Sequence, residues 1–267
     1  LLVCVNSLVG AEEPDAPTPD EERLELMNRV FSEFELRFAE NAERSLPRTK
    51  QPILRWSNPV RNSFSDGTTY LWLNDARPVA VATISIRGNG AVWREFTTLA
   101  AQPLKVTQDG QVVWSPAAGD LVFKPLKGAP SPASSERLRL SQMRKLAEQF
   151  RITMFETGSN REEFKNLRLL PQPVYQWSSK VPAVSHGAMF AFCETTDPEA
   201  ALLLEVYAEK VDDPPVWRYS LARQTSRPLS FFHNDEKVGS VKAYWKNPRT
   251  RQDPYAEKRL SAFEQNK

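Results

Sequence analysis

Histidine, cysteine and glycine are all scarce in this sequence. Two histidines and two cysteines among 267 residues exclude most zinc, haem and disulfide frameworks. His186 and His233 stand alone, with no i,i+4 or C-x-x-C partner, so no metal site and no cofactor is expected. His186 and Cys193 sit at opposite ends of one apolar run. At about 3.3 Å per strand residue they lie roughly 23 Å apart, too far for a thiol–imidazole dyad. Glycine numbers 10, and no phosphate-cradling glycine loop or G-x-S-x-G elbow occurs. The 35 basic and 33 acidic residues nearly cancel, leaving +2, so no nucleic-acid partner is called for. After the first residues, no apolar run approaches the about 20 residues a membrane span needs, so no transmembrane segment is expected. Hydrophobic residues at 40% and charged residues at 25% are enough to build a core.

The sequence begins LLVCVNSLVGA, apolar and uncharged, and continues EEPDAPTPDEE, acidic and proline-rich. That contrast reads as the end of a secretory signal peptide over residues 1–11, with Val9-Gly10-Ala11 fitting the small-residue cleavage rule. Export to the periplasm or cell envelope follows as the expectation. Cleavage there would leave Cys193 as the lone cysteine, which in the apolar run MFAFCE reads as a small core residue.

Thr18-Pro19-Asp20-Glu21 carries the signature of a capped helix start, with Pro at the first helical position. Leu24, Met27, Phe31, Phe34 and Phe38 then recur at steps of three and four, which predicts one helix of about 25 residues. A second helix is predicted over 135–156, with the stripe Leu140, Met143, Ala147, Phe150 and Met154. Each is followed by short alternating runs joined by turn sequences such as NDAR, RGNG and QDG, the signature of an antiparallel meander. Residues 247–267 read as a polar tail.

The two halves look like copies of one unit. ERLEL (22–26) matches ERLRL (136–140), and Ser65-Asp66-Gly67 matches Ser185-His186-Gly187. Asn58-Pro59-Val60 matches Gln172-Pro173-Val174, Val92-Trp93-Arg94 matches Val216-Trp217-Arg218, Pro103-Leu104 matches Pro228-Leu229, and Trp114 matches Trp245. The expected fold is therefore α+β, with two tandem repeats over 12–126 and 135–246 joined by a linker at 127–134. Each repeat would be a long amphipathic helix packed on a curved antiparallel meander sheet, in the style of cystatin-like and NTF2-like folds. The two sheets could join edge to edge, removing a pair of exposed edges.

The candidate ligand-binding residues are Trp93, Glu95, Trp217 and Tyr219. Glu95 shares a strand face with Trp93. On a buried face a carboxylate beside an indole would have a raised pKa, whereas at a sheet rim it would be solvated or paired to an arginine, which is the reading favoured. The VWR match makes Tyr219 its counterpart. Trp93, Trp114, Trp217 and Trp245, standing at paired anchors, suit core packing better than a sugar platform. No set of catalytic residues assembles from the sequence.

The runs GTTYLWLNDARPVAVA, VWREFTTLAAQPL, RLRLSQMRKLAEQF, LRLLPQPVYQW and GAMFAFCETTDPEAALLLE together resemble an uncharacterised family of exported planctomycete proteins, over about residues 50–245. The resemblance implies compartment and architecture, and no catalytic residue. The expectation is a non-enzymatic binding or scaffold protein of the envelope with a protein or small-molecule partner. The alternative is an NTF2-like pocket protein or enzyme using a buried carboxylate or tyrosine. The two differ in one respect. A pocket needs an open cone between helix and sheet, whereas a scaffold would have it packed by Phe31, Phe34, Phe38 and Phe150.

Overall fold

The computed structural model describes residues 18–41, 43–58, 65–88, 90–117, 123–158, 161–179, 184–195, 197–210, 214–243 and 251–262. Among the described residues, strand accounts for 54% and helix for 13%, which overturns the α+β expectation of long helices carried on sheets: the fold is β-rich and antiparallel. The first half runs α1 (Pro19–Ser32), β1 (Phe34–Phe38), β2 (Leu54–Asn58), β3 (Ser65–Asn74), β4 (Arg77–Arg87), β5 (Ala91–Thr98), β6 (Leu104–Gln108) and β7 (Gln111–Trp114). A two-residue strand, β8 (Lys124–Pro125), precedes the second half. That half runs α2 (Glu136–Ala147), β9 (Phe150–Gly158), β10 (Arg161–Asn166), β11 (Arg168–Leu169), β12 (Tyr175–Ser178), β13 (Val184–Cys193), β14 (Ala200–Glu209), β15 (Val216–Arg223), β16 (Leu229–His233) and β17 (Glu236–Val241). The last strand is β18 (Tyr255–Ala262).

Both helices start where their caps dictate. Thr18 and Glu21 form a reciprocal capping box, and the Ser135 hydroxyl accepts from the Leu138 amide. Both end well before the predicted length, for one reason. An i,i+4 pair shares a face in a helix, but it also shares a face in a strand. Phe34, Leu36 and Phe38 alternate in FELRF, and Phe150, Ile152 and Met154 alternate in FRITM. Aromatic and β-branched residues at period two favour strand, and these runs form β1 and β9.

Each half builds its core from three pieces. In the first, the sheet β18-β5-β4-β3-β2 faces the small sheet β1-β6-β7, and α1 closes one side. Met27, Phe31, Phe34, Leu36, Trp72, Phe96 and Trp114 are buried between them. Phe31 stacks on Tyr70 at 4.2 Å, and Phe96 meets Phe34 at 5.1 Å and Trp114 at 5.5 Å. Burying a phenylalanine such as Phe31 contributes about 2–3 kcal/mol. In the second half, α2 and the sheet β10-β9-β16-β17 cover the sheet of β11, β12, β13, β14, β15 and β8 in the same manner.

The two large sheets meet face to face. Leu71, Val81 and Leu99 pack with Met189, Ala191, Cys193, Leu203 and Ala222 in a third core shared by both halves. This corrects the edge-to-edge expectation, and it explains the near-continuous apolar runs of β4 and β14, which are buried on both faces. Cys193 lies in this core, donating to the Pro198 carbonyl oxygen at 3.3 Å. Burial pushes its thiol up to about 12.

The edges are closed reciprocally. After β7 the chain crosses to the second half, where β8 pairs with β15. After β17 it returns to the first half, where β18 pairs with β5. The segment expected to be a polar tail is therefore an eight-residue edge strand at Tyr255–Ala262. YAEKRL has helix-forming composition, and pairing with an open sheet edge overrides it. Of the other predictions, the signal peptide at 1–11 and Trp245 lie outside the described residues.

Candidate functional site

The register shows what each half carries at the matched positions. Gly67 pairs with Ser85, and Ser85 with Trp93. Gly187 pairs with Tyr207, and Tyr207 with Arg218. Starting from the matched glycines, the counterpart of Trp93 is therefore Arg218, not Trp217. The VWR motifs are out of step by one residue, and a one-residue slip sends every side chain to the opposite face. Trp217 and Tyr219 point into the core under α2. Trp93 and Glu95 point the other way, toward the second half.

The four candidate residues accordingly do not form one site. Trp217 is buried, with His186 edge-on at 5.6 Å. Tyr219 is buried against Phe150 at 4.9 Å, with His233 stacked at 6.4 Å. Both are core residues. Trp93 is only half-buried, and the Arg87 guanidinium lies 5.2 Å from its ring centre. Glu95 is buried beyond it.

Glu95 sits at the floor of a cleft of about 180 Å³ between the halves, lined also by Arg87, Glu194, Glu199, Arg227 and Tyr255. Arg87 leaves β4 on the same face as Thr83 and Ser85, runs back over Trp93, and donates to Glu95 Oε1. The Tyr255 hydroxyl, brought by the exchanged strand β18, donates to Glu95 Oε2 at 2.8 Å. Arg87 also lies 3.7 Å from Glu199 of the second half, and Arg227 pairs with Glu194 at 3.1 Å. Burial raises the pKa of Glu95, opposed by Arg87 and the Tyr255 hydrogen bond. Burial and then Glu95 push the Tyr255 phenol well up. Burial alone would lower Arg87, but Glu95 and Glu199 hold it cationic. Both carboxylate oxygens are thus engaged by groups of the protein itself.

A second buried carboxylate occupies the related cross-strand position. Thr83 pairs with Glu95 in the first half, and Glu205 pairs with Ser220 in the second. Glu205 takes a bidentate pair from Arg77 of the first half at 3.0 and 2.9 Å, and a hydrogen bond from Ser220 at 3.1 Å. Arg77 also packs 4.1 Å from the Tyr207 ring centre. Both carboxylates fasten one half to other parts of the chain.

Sequence reasoning found Glu95 and missed Arg87, Tyr255, Arg77 and Glu205. The RGNG turn sets Arg87 on the strand beside Glu95, so that neighbour was recoverable from the hairpin. Nothing local points to Tyr255, 160 residues away. Among the described residues no three of His, Cys, Asp and Glu converge as metal ligands would, and no helix is long and apolar enough to cross a membrane. Family models, curated proteins and solved structures were compared with the chain, and none matches it.

Proposed function

We propose that this protein is a non-enzymatic binding or scaffold module working in the periplasm or cell envelope. The observation that carries the reading is the filled interior. Phe31, Phe34 and Phe150 are buried with Met27, Trp114 and Phe231, where a pocket protein would keep the space beneath its helix open. Two further features support it. Glu95 and Tyr219, the residues an acid–base enzyme of this shape would use, are respectively tied by Arg87 and Tyr255 and packed into a core. The acidic and basic side chains of the cleft largely pair with each other. The compartment is supported by the apolar start and acidic, proline-rich continuation of the sequence.

The test is native mass spectrometry of the full chain purified gently from its own envelope fraction, with cross-linking before lysis. A discrete protein-sized adduct is expected. A reproducible organic small-molecule adduct without protein would overturn the reading in favour of a pocket protein. A bare monomer in both experiments would count against any stable partner.

A further inference from the structure

Among the described residues, Arg94 is a buried cation without an anion. It is 4% exposed, and no carboxylate lies within ion-pair distance of it among the described residues. Its Nη2 donates to the Val113 carbonyl oxygen at 3.3 Å, while Nε and Nη1 have no acceptor among the described residues. Its guanidinium rests 4.5 Å from the Phe96 ring centre and 5.7 Å from that of Phe34. Aromatic faces offset part of the cost of burying the charge, but they do not satisfy its N–H groups. Burial, with Arg251 adding to it, pulls Arg94 down to about 10, so it is still charged at neutral pH.

The unsatisfied guanidinium lines a cleft of about 330 Å³ whose other walls include Arg251, Lys258 and Arg259. That volume falls within the roughly 300–1,000 Å³ range of small-molecule sites. Arg251 donates Nη1 to the Val112 carbonyl oxygen at 3.0 Å, and none of the three makes an ion pair among the described residues. Among the described residues, Glu257 is the one acidic residue of the lining. Its strand partner is Glu95, and it acts electrostatically on Glu95, Arg87 and Tyr255. Lysine and arginine on an edge strand such as β18 are a common device against strand-to-strand aggregation. That accounts for Lys258 on the rim and for Arg259, whose strand partner is Trp93, but not for an arginine buried in the floor.

We infer that this cleft is an oxyanion site that takes a phosphate group. The Arg94 fork supplies N–H donors fixed from below, and Arg251 and Lys258 supply charge from above. Arginine forks of this kind match the several acceptor oxygens of a tetrahedral anion. The site lies on the face of β5 opposite Glu95, and it does not depend on the scaffold reading.

The experiment is thermal unfolding of the full chain against inorganic phosphate, sulfate and acetate, with chloride balancing ionic strength. Phosphate and sulfate are expected to raise the midpoint saturably, and acetate far less. In a double variant of exposed residues, Arg251→Ala with Lys258→Ala, the phosphate concentration for half-effect should rise at least tenfold. Arg94→Met should abolish the effect while raising the midpoint of the ligand-free protein, because an unpaired buried charge is removed. Glycerol phosphate serves as a further arm. A half-effect well below that of inorganic phosphate assigns the site to a phosphate carried on a larger molecule, and an equal or weaker one to the free ion. No saturable shift, a shift unchanged in the double variant, or an acetate effect equal to that of phosphate would overturn the assignment.

Discussion

Asp66 and His186 occupy the same place in the two halves, and they solve the same problem differently. Each precedes the glycine on which a tryptophan lies. A Cβ on Gly67 would fall 2.3 Å from the Trp56 ring, and one on Gly187 2.5 Å from the Trp177 ring. In the first half Asp66 is buried and takes Arg23 Nε at 3.0 Å from α1 and Arg55 at 3.5 Å. In the second half Arg139 of α2 faces a histidine, and its Nη1 donates instead to the Ser134 and Ala133 carbonyl oxygens at 2.6 and 3.2 Å. Burial, with Arg139 adding to it, pushes the His186 imidazole down to about 4. One half is thus fastened to its helix by a charge pair, whereas in the other a neutral ring packs on Trp217 of β15. The same backbone position tolerates either, provided no charge is left alone.

The largest difference expected between the halves is at the matched tryptophans. Trp217→Ala should cost about 3–5 kcal/mol, because it empties a core position. Trp93→Ala should cost under about 1 kcal/mol, because Trp93 is half-buried and lies over Arg87 rather than in either helix-side core. Urea unfolding of both variants checks this, and equal losses would mean that the two motifs are in step after all.

Next in size is the charge pair. Asp66→Ala should cost about 2 kcal/mol, since Arg23 and Arg55 lose a buried acceptor while Arg23 keeps its pair with Asp20. The second half should show its difference in acid. An imidazole with a folded pKa near 4, against about 6.5 unfolded, contributes stability that is complete above pH 6.5. That contribution falls away between about 6.5 and 4, where the unfolded chain binds the proton first. After discount for solvent near the ring the loss is about 1–2 kcal/mol. His186→Asp is the smallest expected effect and the most specific. It should place a carboxylate before Arg139 as in the first half, add about 1 kcal/mol at pH 7, and remove the slope between pH 6.5 and 4. A slope unchanged in that variant would assign the acid sensitivity to another group.

Much of the strand pattern was legible because β3 to β5 and β13 to β15 are joined by short turns. Asp75-Ala76, Asp109-Gly110 and Asn234-Asp235 take positive φ in three of the tight hairpins, as two-residue turns require. The helix lengths were not legible, because Phe34 and Phe150 satisfy helix and strand spacing alike. The VWR match failed because two strands can share a motif and differ in register by one residue. A better anchor was present: Trp56 with Gly67, and Trp177 with Gly187. That pairing becomes visible only once β2 is known to lie beside β3, and β12 beside β13. The match of Asn58-Pro59-Val60 to Gln172-Pro173-Val174 hid it by aligning Pro59, which follows β2, with Pro173, which precedes β12. Of the candidate sites, the Glu95 cleft was half legible. The cleft floored by Arg94 was not, since its cations come from β5 and from the segment read as a polar tail.

The two β-rich halves are held as one body by a shared apolar face, the buried Arg77–Glu205 pair and an exchanged pair of edge strands. Differential scanning calorimetry of the full chain at pH 7 tests that most directly. A single transition, with calorimetric and van't Hoff enthalpies equal, is the expected result. Two resolved transitions would contradict it, because the halves would then unfold without breaking each other's sheets.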